Sequence, residues 1–362
     1  MKKLLFASAL LLLSYPVVAL VVHAQQRQMR EPGLQDTLLL KDYKPRSIFN
    51  TPRSNVVRAK YPAIDMHMHA PRGSADLNTA AAELLKNMDE SNIQKTILFS
   101  GTGKTFDDLA AVFGRHPDRI ELWCGLDFSN FPASTLSELE RCVKAGAKGV
   151  GEISDKGTGY RGVEPMHLDD PRMDPILEKI ADLGLPINVH MGDPQWMYET
   201  MDATNDLLFE ALYYRRDNKK DDKDLAGMLE VLEHAVGRHP RVTFIACHFA
   251  NQTFDLNRLG RLLDQYPNLY ADSSQRESYL AAIPRFGKQF IEKYADRIVY
   301  GTDQGYSLPM YRNTFRIWET LDEHFYAWDV ANTPFALSGL GLSDATLKKL
   351  YRDNALKVLK KP

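Results

Sequence analysis

From residue 61 onward, short apolar runs alternate with longer amphipathic stretches along the chain. The short runs are rich in β-branched residues and predict buried strands, whereas the longer stretches place apolar residues at helical spacing. Eight strands are predicted, over residues 63–69, 95–100, 120–127, 148–153, 186–190, 241–247, 269–272 and 297–301. The helices predicted between them include residues 79–91, 134–145, 174–183, 224–238 and 256–265.

Eight strand–helix units favour a (β/α)₈ TIM barrel, with a single domain over residues 61–362. Helix-stop signals support this interpretation, because Gly146, Gly184 and His239-Pro240 each stand just before a predicted strand. An open, doubly wound sheet is the alternative. No Gly-x-Gly-x-x-Gly follows the first predicted strand, so the usual dinucleotide-binding reason for such a sheet is lacking.

The first 24 residues have a different composition from the rest of the chain. Lys2 and Lys3 precede an apolar run, and small residues at positions 22 and 24 suit cleavage before Gln25. This pattern predicts a signal peptide over residues 1–24 and an exported protein, periplasmic or secreted, with no stable membrane anchor after cleavage. An uncleaved anchor is the alternative, since the run approaches spanning length. Residues 25–60 are polar and rich in proline, and they predict an extended lead-in.

Composition excludes some classes of partner. The chain is 44% hydrophobic and 25% charged, as in soluble globular proteins, and a formal net charge of −2 gives no electrostatic case for nucleic acid. We therefore expect a small-molecule substrate, and the sequence leaves open whether the protein forms a homo-oligomer. Cys124, Cys142 and Cys247 are predicted to be buried free thiols, with a Cys124–Cys142 bond as the alternative.

Polar residues stand at the ends of several predicted strands. His67 and His69 close the first strand, where residues two apart point to the same side. In a barrel of this type, function lies at the carboxyl ends of the strands. Four of the ten histidines end predicted strands, and their ligand types suit zinc or a similar divalent ion. The later strand-end residues are Glu152, His190, His248 and Asp303.

From about Leu40 to its end, the sequence resembles the amidohydrolase superfamily, and within it the amidohydrolase-related (amidohydrolase 2) family. That family includes metal-dependent hydrolases and non-oxidative decarboxylases related to aminocarboxymuconate semialdehyde decarboxylase. The motifs that carry the resemblance are Ile64-Asp65-Met66-His67-Met68-His69, Asn188-Val189-His190-Met191-Gly192-Asp193-Pro194, Ala246-Cys247-His248, Asp296-Arg297-Ile298-Val299-Tyr300-Gly301-Thr302-Asp303 and Tyr351-Arg352-Asp353-Asn354-Ala355.

The resemblance implies a role for each strand-end residue. Asp303 would complete the metal site and shuttle a proton, and His248 would act as acid/base or polarise a carbonyl. Glu152 has two open interpretations, because it could bridge a second metal or orient a ligand histidine. The residues implied to bind a divalent metal, with zinc expected, are His67, His69 and His190.

The resemblance also implies a reaction. With metal-activated water, the enzyme would hydrolyse an amide, ester or lactone. The alternatives are a metal-dependent decarboxylase of a small unsaturated or aromatic acid and a non-catalytic metal- or ligand-binding barrel. Many superfamily members carry a flanking β-sandwich. Here the lead-in is short and a helical tail of about 60 residues follows Asp303, which favours a barrel without one.

Substrate contacts are predicted at four further positions. Arg72 and Arg276 could clamp a carboxylate, with surface salt bridges as the alternative. Trp196 and Tyr306 could form apolar walls near the barrel mouth, with core packing as the alternative. The long insertion over residues 191–224 is either a lid over the mouth or a peripheral helix with a solvated, charged tip.

Overall fold

The computed structural model of the protein describes residues 33–71, 76–163, 165–211, 214–220, 223–328, 330 and 333–359. The chain divides into two compact units, one ending at Pro45 and one beginning at Arg46. The predicted signal peptide lies outside the described residues. Within the described ranges, no helix is both long and apolar enough to cross a membrane.

The described part of the lead-in contains two short helical pieces. Residues before Pro45 contain a short helix, α1 (Leu34–Thr37), and a 3₁₀ turn, Leu40–Asp42. Within the second unit, backbone N–H groups of residues 54 and 60 donate to carboxylates later in the chain. Ser54 N donates to Asp322 Oδ1 at 3.0 Å, and Lys60 N donates to Glu319 Oε1 at 2.9 Å.

One parallel sheet of eight strands organises the second unit, in the order of the sequence. Backbone hydrogen bonds connect its two edges, since Met66 N donates to Tyr300 O and Asp303 N donates to His67 O, both at 2.9 Å. The sheet is therefore a nearly closed barrel, and the predicted (β/α)₈ TIM barrel is confirmed. Its strands are β1 (Ala63–His69), β2 (Ile93–Phe99), β3 (Ile120–Cys124), β4 (Gly149–Asp155), β5 (Pro186–Met191), β6 (Thr243–Ala246), β7 (Leu269–Asp272) and β8 (Ile298–Val299).

Helices follow the strands around the barrel. They are α2 (Leu77–Ser91), α3 (Gly103–Phe113), α4 (Ala133–Lys144), α5 (Asp174–Asp182), α6 (Leu208–Ala211), α7 (Leu225–Arg238), α8 (Leu256–Gln265), α9 (Glu277–Ala282), α10 (Pro284–Lys293), α11 (Leu308–Glu319), α12 (Asp344–Lys348) and α13 (Asn354–Leu359). Shorter pieces are the 3₁₀ turns Pro171–Met173, Gln195–Met197 and Cys247–Asn251 and the π turn Lys349–Asp353.

Aspartates begin several of these helices. Asp76 accepts from Thr79 N before α2, and Asp224 accepts from Gly227 N before α7. Each carboxylate satisfies a backbone donor that the first helical turn leaves without a partner, and its charge favours the positive end of the helix dipole. These caps set where the helices start, and so how each one returns the chain to the next strand.

The core has two layers because strand side chains alternate between the two faces of the sheet. A large cluster fills the space between sheet and helices, whereas a smaller one combines alternate strand residues with Ala355 and Val358 of α13. Trp123 belongs to the smaller cluster and lies across Gly149 of the next strand. A Cβ at Gly149 would come within 2.3 Å of the Trp123 ring, so only glycine fits there.

Several boundaries differ from the predictions. β3 ends at Cys124 rather than at residue 127, because Gly125 N donates to Gly101 O and the chain turns into a loop. Helix α3 was absent from the predicted helices. All three cysteines are buried and free, as predicted.

Candidate metal centre and active site

Strand β1 brings its two histidines to the carboxyl end of the barrel. The pairing of β1 with β2 shifts register between Asp65 and Met68, and such an irregularity re-aims the side chains that follow it. The His67 and His69 rings consequently lie 5.6 Å apart, centroid to centroid. Both imidazoles face the same group of carboxylates.

Asp303 reaches this pair from the other edge of the sheet. Its backbone is left-handed, with φ at 55°, and its N–H donates to His67 O. Gly301 allows the approach, since a Cβ there would lie 2.8 Å from His67 Cβ. Thr302 fixes the turn by donating its hydroxyl to Asp65 Oδ2 at 2.7 Å. The Gly-Thr-Asp sequence thus joins β8 to β1 at the site.

Three donor atoms converge here in a way that fits a metal ion. His69 Nε2 lies 3.2 Å and His67 Nε2 lies 3.6 Å from Asp303 Oδ1, and all three atoms lie within 4.8 Å of one another. Ligands about 2.1 Å from a tetrahedral zinc are separated by about 3.4 Å, which matches these distances. His67 Nε2 is also buried without a hydrogen-bond partner. A buried imidazole nitrogen without a partner fits metal coordination, in which the ion replaces the proton.

Glu152, on β4, is surrounded by three imidazoles. His190 Nδ1 lies 2.6 Å from Glu152 Oε1, His69 Nε2 lies 3.3 Å from Oε2, and His248 Nε2 lies 3.6 Å from Oε1. Burial raises the Glu152 pKa, but the hydrogen bonds from His190, His248 and His69 outweigh burial and hold that pKa far below its usual value. The carboxylate is therefore ionised and adds negative charge to the site.

His190 contacts Glu152 rather than the group formed by His67, His69 and Asp303. Its Nδ1 faces Glu152, and its buried Nε2 has no hydrogen-bond partner and lies 3.6 Å from Asp193 Oδ1. The predicted third histidine ligand therefore lies beside the His67, His69 and Asp303 group, to which Glu152 connects it. Its immediate neighbours are carboxylates.

Asp272, at the end of β7, supports the site from behind and was not identified from the sequence. This buried carboxylate accepts from His67 Nδ1 at 2.8 Å, from His248 N at 2.8 Å and from Asn188 Nδ2 at 3.1 Å. Burial raises the Asp272 pKa, yet the His67 charge and hydrogen bond keep it below its usual value. An ionised Asp272 holds the proton on His67 Nδ1 and leaves Nε2 for a metal. Its strand-end position was the available signal.

Electrostatic effects at His67 show how negative the centre is. Burial lowers the His67 pKa, but the charges of Asp272 and Asp303 outweigh burial and raise it to about 10. Burial likewise raises the Asp303 pKa, and the His67 charge and the His69 hydrogen bond bring it below its usual value. Several ionised carboxylates therefore share a buried space, which favours a bound cation.

His248 lies in a 3₁₀ turn after β6, whereas the sequence placed it at the strand end. Its φ of 59° and those of Phe249 and Ala250, 54° and 53°, are left-handed. Such backbone costs about 1–3 kcal/mol per residue and is concentrated at functional sites. Nδ1 lies 2.9 Å from Ser274 O, which leaves Nε2 facing Glu152 and Asp303. Burial lowers the His248 pKa to about 4, so the ring is neutral near pH 7.

A cavity of about 640 Å³ opens onto this centre. His190, His248 and Asp303 line its inner end, and residues of the 191–224 insertion, among them Pro194, Met197 and Glu210, line its walls. The insertion is therefore a wall of the cavity rather than a purely peripheral helix. A larger cavity of about 810 Å³ lies near the amino ends of β1 and β2, beside Tyr61 and Ile93, away from these groups.

The predicted substrate-contacting residues have different positions. Arg276 is 7% exposed and lines the 640 Å³ cavity. Trp196 packs with Leu207 and donates from Nε1 to Tyr279 OH at 3.2 Å. Trp196 therefore lies behind Tyr279, which lines the cavity. Tyr306 packs on the main core, and its carbonyl accepts from a side chain of α2. Arg72 lies outside the described residues.

Comparisons with known proteins agree with this architecture. A family model described as amidohydrolase matches residues 64–361. A comparison with curated proteins found no match.

Solved structures share the fold at low identity. A putative amidohydrolase from Staphylococcus aureus is 19% identical, with a TM-score of 0.53 over 82% of this chain and 99% of that chain. The 2,6-dihydroxybenzoate decarboxylase from Rhizobium is 18% identical, with a TM-score of 0.51 over 83% and 98%. A 5-carboxyvanillate decarboxylase from Novosphingobium aromaticivorans, complexed with manganese and 4-hydroxy-3-methoxy-5-nitrobenzoic acid, is 15% identical, with a TM-score of 0.51 over 85% and 99%.

Proposed function

The chain belongs to the amidohydrolase family, and from that membership we propose that it is a metal-dependent hydrolase of a small amide, ester or lactone. The family match confirms the resemblance seen in the sequence. One observation carries the proposal. Donor atoms of His67, His69 and Asp303 converge within 4.8 Å, and Asp303 also lines the 640 Å³ cavity together with His248.

His67, His69 and Asp303 would hold a divalent cation, with His190 as the further nitrogen ligand. The unpartnered Nε2 atoms of His67 and His190 support this assignment. Such a cation supplies Lewis acidity, which polarises a carbonyl and makes a nearby water more acidic. Zinc suits a site of imidazole and carboxylate ligands, so we propose zinc, although one structural neighbour holds manganese. Glu152 would orient His190 or join a second metal, and the 2.6 Å contact favours orientation.

Asp303 and His248 would move the protons. Asp303 is ionised and can accept a proton from water and deliver it to the leaving group. His248 is held by Ser274 O on one side, and its Nε2 lies 3.8 Å from Asp303 Oδ2. Nε2 of the neutral ring can accept a proton, and once protonated it can donate to the negative charge that develops on the attacked carbonyl oxygen. Arg276 would hold a carboxylate of the substrate from the cavity wall.

Decarboxylation of a small carboxylic acid is the second candidate, and Arg276 is the observation that favours it. Arg276 lines the cavity together with His248, so its guanidinium could hold a substrate carboxylate while His248, once it has taken up a proton, delivers that proton to carbon. Two structural neighbours are also named as decarboxylases. In this reaction carbon dioxide leaves, and the electron pair it leaves behind takes up a proton.

A substrate panel separates the two reactions. Metal-loaded protein is incubated with amides, esters, lactones and aromatic or unsaturated acids, while acid release and carbon dioxide are both recorded. Hydrolysis predicts acid release without carbon dioxide, and loss of that turnover in Asp303→Asn. Carbon dioxide release from an acid, with no hydrolysis of any carbonyl compound, would contradict the leading proposal and support the second candidate.

We also propose that the protein is exported and that residues 1–24 are removed. Sequencing the amino terminus of the mature protein from its native host tests this. A terminus at Gln25 supports the proposal, and a retained leader in the cytoplasmic fraction contradicts it.

A further inference from the structure

Arg276 is a buried cation of the cavity, and its hydrogen-bond partners include no acid. Its Nε and Nη2 donate to Asn251 Oδ1 at 3.1 and 2.8 Å, and its Nη1 donates to Gln275 O at 3.1 Å. All of these acceptors are neutral. In the part of the chain that the structure describes, no carboxylate oxygen lies within 4.0 Å of the Arg276 guanidinium nitrogens, the distance that defines an ion pair. A buried charge without a counter-ion is costly, and an anionic ligand would compensate it.

Arg276 is also fixed in position. The Asn251 amide nitrogen donates to the carbonyls of Met191 and Gly192, so its oxygen must face the guanidinium. The guanidinium in turn lies over the Tyr279 ring, 5.5 Å from its centroid. Binding an anion at this site therefore requires little ordering of the side chain, which favours affinity.

Three other cations that line the cavity each lie close to a carboxylate. Lys156 Nζ lies 2.7 Å and Arg216 Nη1 lies 3.6 Å from the Asp193 carboxylate, and Arg215 pairs with Asp217 at 2.6 Å. These pairs leave Arg276 as the buried cation best placed to take up a ligand charge.

Glu210 presents the opposite charge to the same cavity. It belongs to α6 of the insertion, is partly buried and lines the cavity. Tyr279 OH donates to Glu210 Oε2 at 2.9 Å. Among the described residues, no Lys, Arg or His lies within 4.0 Å of the Glu210 carboxylate. Burial raises the Glu210 pKa, and the Tyr279 hydrogen bond and the Arg276 charge oppose that rise.

Tyr279 therefore stands between two unpaired, opposite charges. Its ring faces Arg276 and its hydroxyl faces Glu210, so the two charged groups line one cavity without forming an ion pair with each other. A ligand with one anionic and one cationic group could pair with both. The volume of about 640 Å³ admits a molecule of dipeptide size.

We propose that the cavity binds a small amino-carboxylate zwitterion, with Arg276 holding the carboxylate and Glu210 holding the ammonium group. The inference rests on the proposed function, because it treats the cavity as the substrate site. It narrows the substrate class to amides, esters or lactones that keep a free amine and a free carboxylate.

Calorimetric binding of three matched compounds to the metal-loaded protein tests the proposal. Alanylalanine carries both charges, N-propionylalanine lacks the ammonium group, and alanine ethylamide lacks the carboxylate. Each charge-assisted contact predicts that alanylalanine binds about tenfold or more tightly than either analogue. Glu210→Gln should remove the preference over N-propionylalanine, and Arg276→Gln should remove the preference over alanine ethylamide.

Two matched variants control for general charge effects. Arg215→Gln removes a cavity cation that is already paired, and Glu199→Gln removes an exposed acid of the same insertion. Both should keep the full preference for alanylalanine. The proposal is overturned if alanylalanine binds the parent protein no more tightly than the two analogues, or if no probe binds. It is also overturned if Glu210→Gln still binds alanylalanine more tightly than N-propionylalanine, because Glu210 then only balances the Arg276 charge across Tyr279.

Turnover of the same compounds separates this inference from the proposed function. Selective binding of alanylalanine without hydrolysis of any carbonyl compound would leave the zwitterion site standing and remove the hydrolase. Hydrolysis of substrates that lack an amine, at a rate independent of Glu210, would leave the hydrolase standing and remove the zwitterion site.

Discussion

Replacing Asp272 with asparagine should weaken metal binding without removing any proposed ligand. One carboxylate oxygen accepts from His67 Nδ1 and Asn188 Nδ2, and the other accepts from His248 N, Ser274 N and Ser274 Oγ. Asparagine keeps only one acceptor oxygen. That oxygen should face His248 N, Ser274 N and Ser274 Oγ, because this side has three donors. The asparagine amino group then faces His67 Nδ1 and shifts the imidazole proton to Nε2, the atom that faces the metal site.

The structure sets the size of this effect. Losing a partner that orients a ligand typically weakens metal affinity about 10- to 100-fold, which is about 1.4–2.7 kcal/mol. Because Asp272 and His67 are fully buried, breaking their pair should also lower the unfolding free energy of the metal-free protein by about 3–5 kcal/mol.

A competition titration with a chelator measures the affinity, and circular dichroism checks the fold. Asp155→Asn is the matched control, since Asp155 is also buried and accepts from a histidine, His167 Nδ1 at 2.7 Å, and from Gly157 N and Gly159 N at 3.0 Å. That variant should lose stability but keep its metal affinity. An Asp272→Asn protein that binds metal as tightly as the parent would refute the reasoning.

Three further predictions concern catalysis and stability. Asp303→Asn should lower turnover at least about 100-fold with an unchanged circular dichroism spectrum, and retained activity would exclude Asp303 as the proton shuttle. The Arg141 hydrogen bond lowers the Glu138 pKa to about 2, so this stabilisation is present above the ordinary pKa of 4.5 and is lost as pH falls toward 2. In urea denaturation, the loss of unfolding free energy caused by Glu138→Gln should accordingly be smaller at pH 3 than at pH 6. An equal loss at both pH values would contradict this prediction. Leu232→Ala, in the core, should cost about 2–5 kcal/mol in the same assay. Leu321→Ala, at a site 76% exposed, should change stability by less than about 0.5 kcal/mol, and equal losses would contradict the assigned core.

The barrel and much of the side-chain cluster proposed to bind a metal could be predicted because the relevant signals are local. Buried strands read as apolar runs, and a polar residue at a strand end is visible without knowing its neighbours. His67, His69, Glu152 and Asp303 follow this logic, and the fold brings them together at one end of the barrel. A closed parallel sheet makes every strand end a neighbour of the others.

Contacts between distant segments were not predictable in this way. Asp272 and His67 are separated by 205 positions, and nothing in either segment indicates the hydrogen bond. The same holds for Asn251, which fixes Arg276 because its amide nitrogen donates to the Met191 and Gly192 carbonyls, and only the fold brings these groups together. Glu210 could not be identified from the sequence because it does not lie at the end of a predicted strand. Its place in the cavity depends on the hydrogen bond from Tyr279, which is distant in sequence.

Backbone geometry explains the misplacement of His248. The apolar run continues through Cys247, so the pattern favours a longer strand, but four successive residues with positive φ, at positions 248–251, bend the chain after the strand ends at Ala246. Left-handed conformations in non-glycine residues depend on the surrounding structure rather than on local sequence preference. The bend turns His248 Nε2 toward Asp303, where the proposed chemistry needs it.

The metal content of the purified protein tests the central claim most directly. Chains produced with a zinc supplement, desalted and analysed by mass spectrometry, should contain at least one tightly held divalent ion each, and His69→Asn chains prepared in parallel should contain much less. Parent protein that is folded yet holds no divalent ion, or a variant that holds as much as the parent, would contradict a metal centre at His67, His69 and Asp303.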